Sequence, residues 1–191
     1  MTVIKRYELF FGGRPTKSIS GFVKYWNSST PIALNNIEVT LEDTSENIVA
    51  TTTTDTDGFY KFDDVSNGTY VLKITSQGSY IHGGVSDEDA MAVNGFSVSP
   101  YSIERVRYLA ADSVGDYAID GLDASLITEF VYTNNPSVLA RYPFVYFKAN
   151  ELIAVNTSLP FSQPNVVVDN ASETYDMYFL WAGDFDGSWT P

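Results

Sequence analysis

The chain has 191 residues, with 24 acidic against 11 basic side chains, a formal charge of −13, one histidine and no cysteine. A balance this negative argues against neutralising phosphate, and so against nucleic-acid binding, and it opposes adsorption to an anionic membrane. Lacking cysteine, the protein has no disulfide, thiolate metal site or cysteine nucleophile, while 44% hydrophobic and 15% aromatic residues allow a sizeable core.

No apolar run approaches the roughly twenty residues of a membrane-spanning helix. Met1–Phe11 lacks the apolar centre and small-residue cleavage site of a signal peptide, so the expectation is a removed signal or an excised piece of a larger protein. Val3, Lys5, Tyr7, Leu9 and Phe11 share one face of a strand, and Gly12-Gly13-Arg14-Pro15 follows as a hinge. That strand is read as the first strand of the fold. The alternative is pairing with the sheet edge of a second molecule, which builds a filament or tube if the contact does not close.

Residues 18–77 read as a run of short strands. Ile19–Tyr25 alternates, Ile37, Val39 and Leu41 share a face, and Ile48–Thr54 is β-branched. Asp57-Gly58 marks a turn before Phe59–Phe62, and Asn67-Gly68 another before Tyr70–Ile74. Short strands at regular spacing between turn dipeptides point to an antiparallel sandwich. Ser20-Gly21-Phe22-Val23, Leu34–Leu41 and Thr54-Asp-Thr-Asp-Gly58-Phe-Tyr60-Lys-Phe62 through Asn67-Gly68-Thr-Tyr70 resemble the prealbumin-like sandwich repeats of surface proteins, the carboxypeptidase regulatory-like, SdrD B-like and collagen-adhesin B-type group. Some members of that group carry a Lys–Asn isopeptide bond. Here Tyr70-Val-Leu-Lys73 lacks the accompanying acid, so Lys24 is expected to be an ordinary surface residue.

Residues 78–135 switch to helical spacing, with helices expected over Val85–Val93, Ile103–Leu109 and Leu122–Val131. Between the last two lies Asp112-Ser-Val-Gly-Asp-Tyr-Ala-Ile-Asp-Gly-Leu-Asp123, which places carboxylates at positions 1, 5, 9 and 12 of a twelve-residue loop. That is the spacing of an EF-hand-type calcium loop. Asp112, Asp116 and Asp123 are expected to supply side-chain oxygens, Ala118 its carbonyl, and Asp120 a contact through water. Val114 at position 3 and Tyr117 at position 6, where glycine is usual, depart from the ideal. The other reading is an acidic turn in which Asp120 or Asp123 caps a helix.

Val85–Val93 aligns with Ile119–Ile127, pairing Val85 with Ile119, Asp89 with Asp123 and Ala90 with Ala124. This duplication resembles the paired calcium repeats of type I dockerins, which implies calcium as the bound ion and a cohesin-like protein partner. The first repeat has Gly78 and His82 where position-1 and position-5 ligands belong, so it is degenerate or completed from elsewhere. Asp87 and Asp89 are candidate ligands there, or acids favoured by the positive end of a helix.

Residues 136–191 return to strands at Phe144–Phe147, Val166–Val168 and Met177–Trp181, then end in Gly183-Asp184-Phe-Asp186-Gly-Ser188-Trp189. The order of parts resembles a module of large exported bacterial proteins. Asp184 and Asp186 stand at the spacing of calcium-loop positions 1 and 3 and could complete the depleted first loop, or they belong to a solvated turn.

No enzyme is read from the chain. His82 sits in a Gly-rich turn, and neither G-x-S-x-G nor a phosphate-binding glycine loop occurs. Trp26, Trp181 and Trp189 with 13 tyrosines could form a carbohydrate platform, which keeps an accessory carbohydrate-binding module of a larger enzyme as an alternative. Sequons begin at Asn27, Asn67, Asn156 and Asn170.

The expected fold is mainly β: an antiparallel β-sandwich of Ig/prealbumin-like form, with an inserted or appended EF-hand-like, dockerin-like helical pair and a β-rich C-terminal tail. The expected segments are an N-terminal strand and hinge at 1–17, the sandwich at 18–77, the calcium-binding helical module at 78–135 and the β-rich segment at 136–191. The expected role is an extracellular or cell-surface structural and adhesive module, stabilised by calcium and associating with protein.

Overall fold

The computed structural model describes residues 17–27, 29–76, 83–139, 144–149, 154–155, 165–168 and 172–190. Met1–Phe11, Gly78 and His82 lie outside them. Strands β1 (Lys17–Tyr25), β2 (Ile32–Ala33), β3 (Glu38–Asp43), β4 (Ile48–Thr53), β5 (Phe59–Val65) and β6 (Gly68–Ser76) precede helix α1 (Asp87–Val98). Then come β7 (Ile103–Glu104), α2 (Arg105–Ala111), α3 (Gly121–Thr133), β8 (Phe144–Lys148), β9 (Ala154–Val155), β10 (Asn165–Val168), β11 (Glu173–Thr174) and β12 (Met177–Trp181). The described residues are mainly β with three α-helices. Ile103–Glu104, expected to open a helix, instead pairs with β9, and α2 starts two residues later than expected, at Arg105.

The alternation in β1 works as the pattern predicts: Ile19, Gly21, Val23 and Tyr25 are buried and the residues between them are not. Ile37, Val39 and Leu41 are fully buried together. The Asp57-Gly58 turn forms with Gly58 at φ +76, and Asp55 accepts from the N–H groups of Asp57 and Phe59. Thr54, at the head of that motif, donates its hydroxyl to the Leu34 carbonyl at 2.7 Å and accepts from the Ile37 N–H at 2.9 Å. These two bonds fasten the turn to the start of β3.

One sheet runs β10-β6-β3-β4 and is antiparallel throughout. The other runs β11-β1-β12-β8, with β2 and β5 pairing the opposite edge of β1. Here pairing is not wholly antiparallel, because β1 lies parallel to β11 and β12. Both sheets therefore join strands from the two ends of the chain. Their inner faces, with Leu41, Leu72, Tyr60, Val166 and Phe179, belong to one continuous apolar core.

Helices α1 and α3 pack against each other, and α2 packs on β8 and β12. Ser86 caps α1 and Asp120 caps α3, each in a capping box with the aspartate three residues on. Both helices thus begin with the same local device, 34 residues apart in sequence. Lys24 pairs with Asp176 at 3.5 Å, both partly exposed.

Candidate functional site

The loop between α2 and α3 is organised around two buried carboxylates. Asp112 Oδ1 accepts from the N–H groups of Gly115 at 2.7 Å and Asp116 at 3.1 Å, and its Oδ2 accepts from Tyr117 at 2.9 Å. Asp123 Oδ1 accepts from Val114 N–H at 2.9 Å, and its Oδ2 from Asp120 N–H at 2.8 Å. Asp116 and Asp120 are exposed at the rim, each accepting from a backbone N–H two residues on. Ala118 is exposed between them. Tyr117 takes the left-handed turn that its position requires, at φ +68.

A second carboxylate cradle forms where the C-terminal tail meets the start of α1. Asp184 Oδ1 accepts from Gly187 N–H at 2.7 Å and Ser188 N–H at 3.2 Å, and its Oδ2 from Trp189 N–H at 3.4 Å. Asp89 Oδ1 accepts from Phe185 N–H at 2.7 Å and Asp186 N–H at 3.0 Å, and its Oδ2 from Ser86 N–H at 2.9 Å. The backbone bonds of the first cradle recur here, with two additions: Phe185 N–H on Asp89 Oδ1 and the Tyr25 hydroxyl on Asp184 Oδ2. Asp184 takes the place of Asp112, accepting from residues three, four and five ahead. Asp89 takes the place of Asp123, accepting from the residue three behind and from the residue two beyond the other aspartate. Gly115 and Gly187, each three residues after the leading aspartate, both have positive φ. In one cradle the chain runs straight through; in the other the two halves come from the middle of the chain and its C-terminal segment.

Of the described residues, the group of three acids whose oxygens converge is Asp89, Asp184 and Asp186, with ligand atoms within 4.8 Å of one another. The loop most fully spelled in the sequence does not form such a group: Asp116 and Asp120 lie exposed at its rim, whereas Asp186, which also accepts from a backbone N–H two residues on, is half-buried beside Asp184. Asp87 stays exposed on the first turn of α1.

Burial raises the affinity of these carboxylates for protons. It pushes Asp184 up to about 7, helped by the charges of Asp89 and Asp186 and opposed by the Tyr25 hydroxyl. It takes Asp89 and Asp123 up to about 6, in each case against backbone N–H donors, and it raises Asp112. The ion pairs among the described residues join other acids: Asp176, Asp63, Glu42 and Glu104. Buried carboxylates of this kind are ordinarily matched by a cation.

Three residues of the second cradle, Tyr25, Gly84 and Trp189, carry no ligand-type spacing in the sequence. Tyr25 donates its hydroxyl to Asp184 Oδ2. Its place on the buried face of a strand was a usable signal, since a buried tyrosine hydroxyl needs a partner. Trp189 covers Gly83 and Gly84, and its ring lies 4.7 Å from that of Tyr25. A Cβ on Gly84 would come within 2.6 Å of Asp184 Oδ2, so the site is closed by a residue without a side chain.

Residues 18–80 match the carboxypeptidase regulatory-like domain family. Over 47 residues, 25% of the chain, the protein is 43% identical to serine-aspartate repeat-containing protein D of Staphylococcus aureus (strain Newman). Over a stretch of the same length it is 38% identical to bone sialoprotein-binding protein of S. aureus (strain MRSA252). The chain spans 4% of the length of each of these relatives. Among solved structures, BcpA, the major pilin subunit of Bacillus cereus, aligns at 22% identity and a TM-score of 0.31, covering 35% of this chain and 20% of the pilin. The sequence matches support the prealbumin-like reading of the N-terminal sandwich. The family match stops at residue 80, ahead of the helices.

Proposed function

We propose that the protein is a non-enzymatic extracellular structural or adhesive module, held rigid by calcium at its two carboxylate cradles. The observation that carries this reading is the repetition of one hydrogen-bond pattern around Asp112/Asp123 and Asp184/Asp89. A chain of charge −13 that buries Asp89, Asp112, Asp123 and Asp184 suits a hard divalent cation with a preference for oxygen.

Asp89, Asp184 and Asp186 would hold one ion, and Asp112, Asp116, Asp120 and Asp123 with the Ala118 carbonyl the other. Calcium would supply neutralising charge and cross-link segments that otherwise repel. The chain's own residues prepare the sites: backbone N–H groups fix the leading aspartates, the capping boxes orient Asp89 and Asp123, and Trp189 and Tyr25 shield Asp184 from water.

The likeness of residues 18–80 to a segment of staphylococcal serine-aspartate repeat proteins supports a cell-surface setting and association with protein. An open groove of about 580 Å³ between α1 and α3 is the surface we assign to a cohesin-like partner. Ala90, Met91 and Asn94 line it from α1, and Ala124, Ser125 and Thr128 from α3, each 34 residues from its counterpart.

Thermal unfolding with excess calcium and with EGTA tests the ion, on wild type, Asp123→Ala and Asp184→Asn. With free ion a thousandfold above the dissociation constant, linkage contributes about 4 kcal/mol per site, and each variant loses the share of its own site. Identical melts in calcium and EGTA would overturn the proposal.

A further inference from the structure

β1 and β12 are the first and last described strands, and they lie side by side and parallel. Ile19 stands opposite Glu173 and Ser20 opposite Thr174; then Val23 faces Met177, Lys24 faces Tyr178 and Tyr25 faces Phe179. Tyr175 N–H donates to the Ser20 carbonyl and Trp26 N–H to the Phe179 carbonyl, both at 2.8 Å. Side chains reinforce the seam. Phe22 N–H donates to Asp176 Oδ1 at 3.0 Å, and the Tyr60 hydroxyl to the Tyr175 carbonyl at 2.6 Å. Gly21 permits the approach, since a Cβ there would lie 2.1 Å from the Tyr175 oxygen.

Because the two strands run in the same direction, the chain enters this ladder at one end and leaves it at the other. Tension applied ahead of Lys17 and beyond Trp181 therefore draws the strands past each other and loads their bonds together. The opposite edge of β1 behaves differently. β5 is antiparallel to it, with Lys17 opposite Val65 and Phe22 opposite Phe59. Force applied at Lys17 and just after Val65 peels that pair one bond at a time.

We propose that the module is a tension-bearing link whose clamp is the parallel β1–β11/β12 ladder. The tail leaving β12 acts as its lock. Asp184 is bonded to Tyr25 of β1, the Gly187 carbonyl accepts from Asn27 Nδ2 at 2.8 Å, and Phe185 and Asp186 N–H groups are held by Asp89 at the start of α1. Resistance to force is set by the unfolding barrier rather than by equilibrium stability. A ladder loaded in shear raises that barrier in one pulling direction only.

The test is single-molecule pulling on the full chain through engineered cysteines, which are unambiguous handles because the sequence has none of its own. Lys17→Cys with Thr190→Cys loads the ladder in shear, and Lys17→Cys with Asn67→Cys peels β1 from β5. The expected result is a several-fold higher rupture force for the first pair, retained in EGTA and raised further by calcium. Equal forces in the two directions overturn the proposal whatever calcium does to the melting temperature. A direction-dependent force that ignores calcium leaves the clamp standing and counts against the calcium reading alone.

Discussion

The hydroxyl of Tyr25, in the first described strand, donates to the carboxylate of Asp184, 159 residues further along the chain. Both groups are fully buried. The bond ties the sheet to the tail, and it supplies a donor to a carboxylate that would otherwise rely on backbone N–H groups alone. Burial and the charge of Asp184 together push the Tyr25 hydroxyl well above the usual tyrosine range, so it stays protonated and able to donate. Tyr25→Phe keeps the ring packing against Phe179 and Trp189 and removes only the hydroxyl, which donates to Asp184 and accepts from Trp181 N–H at 3.4 Å. The expected cost is about 1–3 kcal/mol, read as a lowered midpoint in chemical denaturation with unchanged slope.

The raised carboxylates predict how stability depends on pH. In EGTA, Asp89, Asp123 and Asp184 bind protons more tightly in the folded protein, at about 6, 6 and 7, than in the unfolded chain at about 4. Their contribution is complete below the unfolded value and is lost as pH rises through 6 to 7. The melting temperature in EGTA therefore falls between pH 5 and pH 8. With calcium the fall shrinks or reverses, because the ion takes the place of the protons. A flat profile in EGTA would contradict this assignment of burial.

Two glycines give opposite expectations. Gly84 has φ +87, and a Cβ there meets Trp189 and Asp184 at 2.5–2.7 Å. Gly84→Ala should destabilise by about 1–3 kcal/mol from the backbone alone, with the tail displaced as well. Gly95 lies inside α1 with open space around it. Gly95→Ala should stabilise by about 0.5–1 kcal/mol. Paired melts of the two variants check both at once.

Terbium, a luminescent substitute for calcium, separates the two cradles. Trp189 lies against the cluster of Asp89, Asp184 and Asp186, so exciting tryptophan should sensitise an ion held there. Asp186→Asn is expected to remove most of that emission, Trp189→Phe to reduce it, and Asp116→Asn to leave it in place. Emission lost equally in Asp116→Asn and Asp186→Asn would show that the ion sits elsewhere.

Strands of the N-terminal sandwich are legible where apolar residues alternate, as in Ile19–Tyr25, or where a turn dipeptide leads into them, as Asp57-Gly58 leads into β5. Which strands become neighbours is not. Alternation in β1 and the apolar run of β12 report burial and say nothing of a parallel partner some 150 residues away. The Asp112 loop was readable because its ligand-type residues are contiguous. Its counterpart left only fragments: the spacing from Ser86 to Asp89 that repeats Asp120 to Asp123, and Asp184-Phe-Asp186 near the end of the chain. The hydrogen bonds that join these fragments span 96 and 97 residues, beyond the reach of a motif. Sequence reasoning also ranked the sites by completeness of spacing. Convergence of oxygens depends instead on the fold bringing Asp184 and Asp186 to Asp89, since Asp186, like Asp116 and Asp120, accepts from a backbone N–H two residues on.

The parallel placement of β1 against β11 and β12 also sets an order of events during synthesis. β2 and β5 follow β1 closely and can cover one of its edges, but the residues that cover the other edge, 173–181, are made some 150 residues later. Until then a flat row of backbone donors and acceptors stands open on a nascent chain, the kind of edge that captures a stray strand. The first described strand is thus among the last to be completed, and its finished edge reports that the segment carrying β11 and β12 has been made.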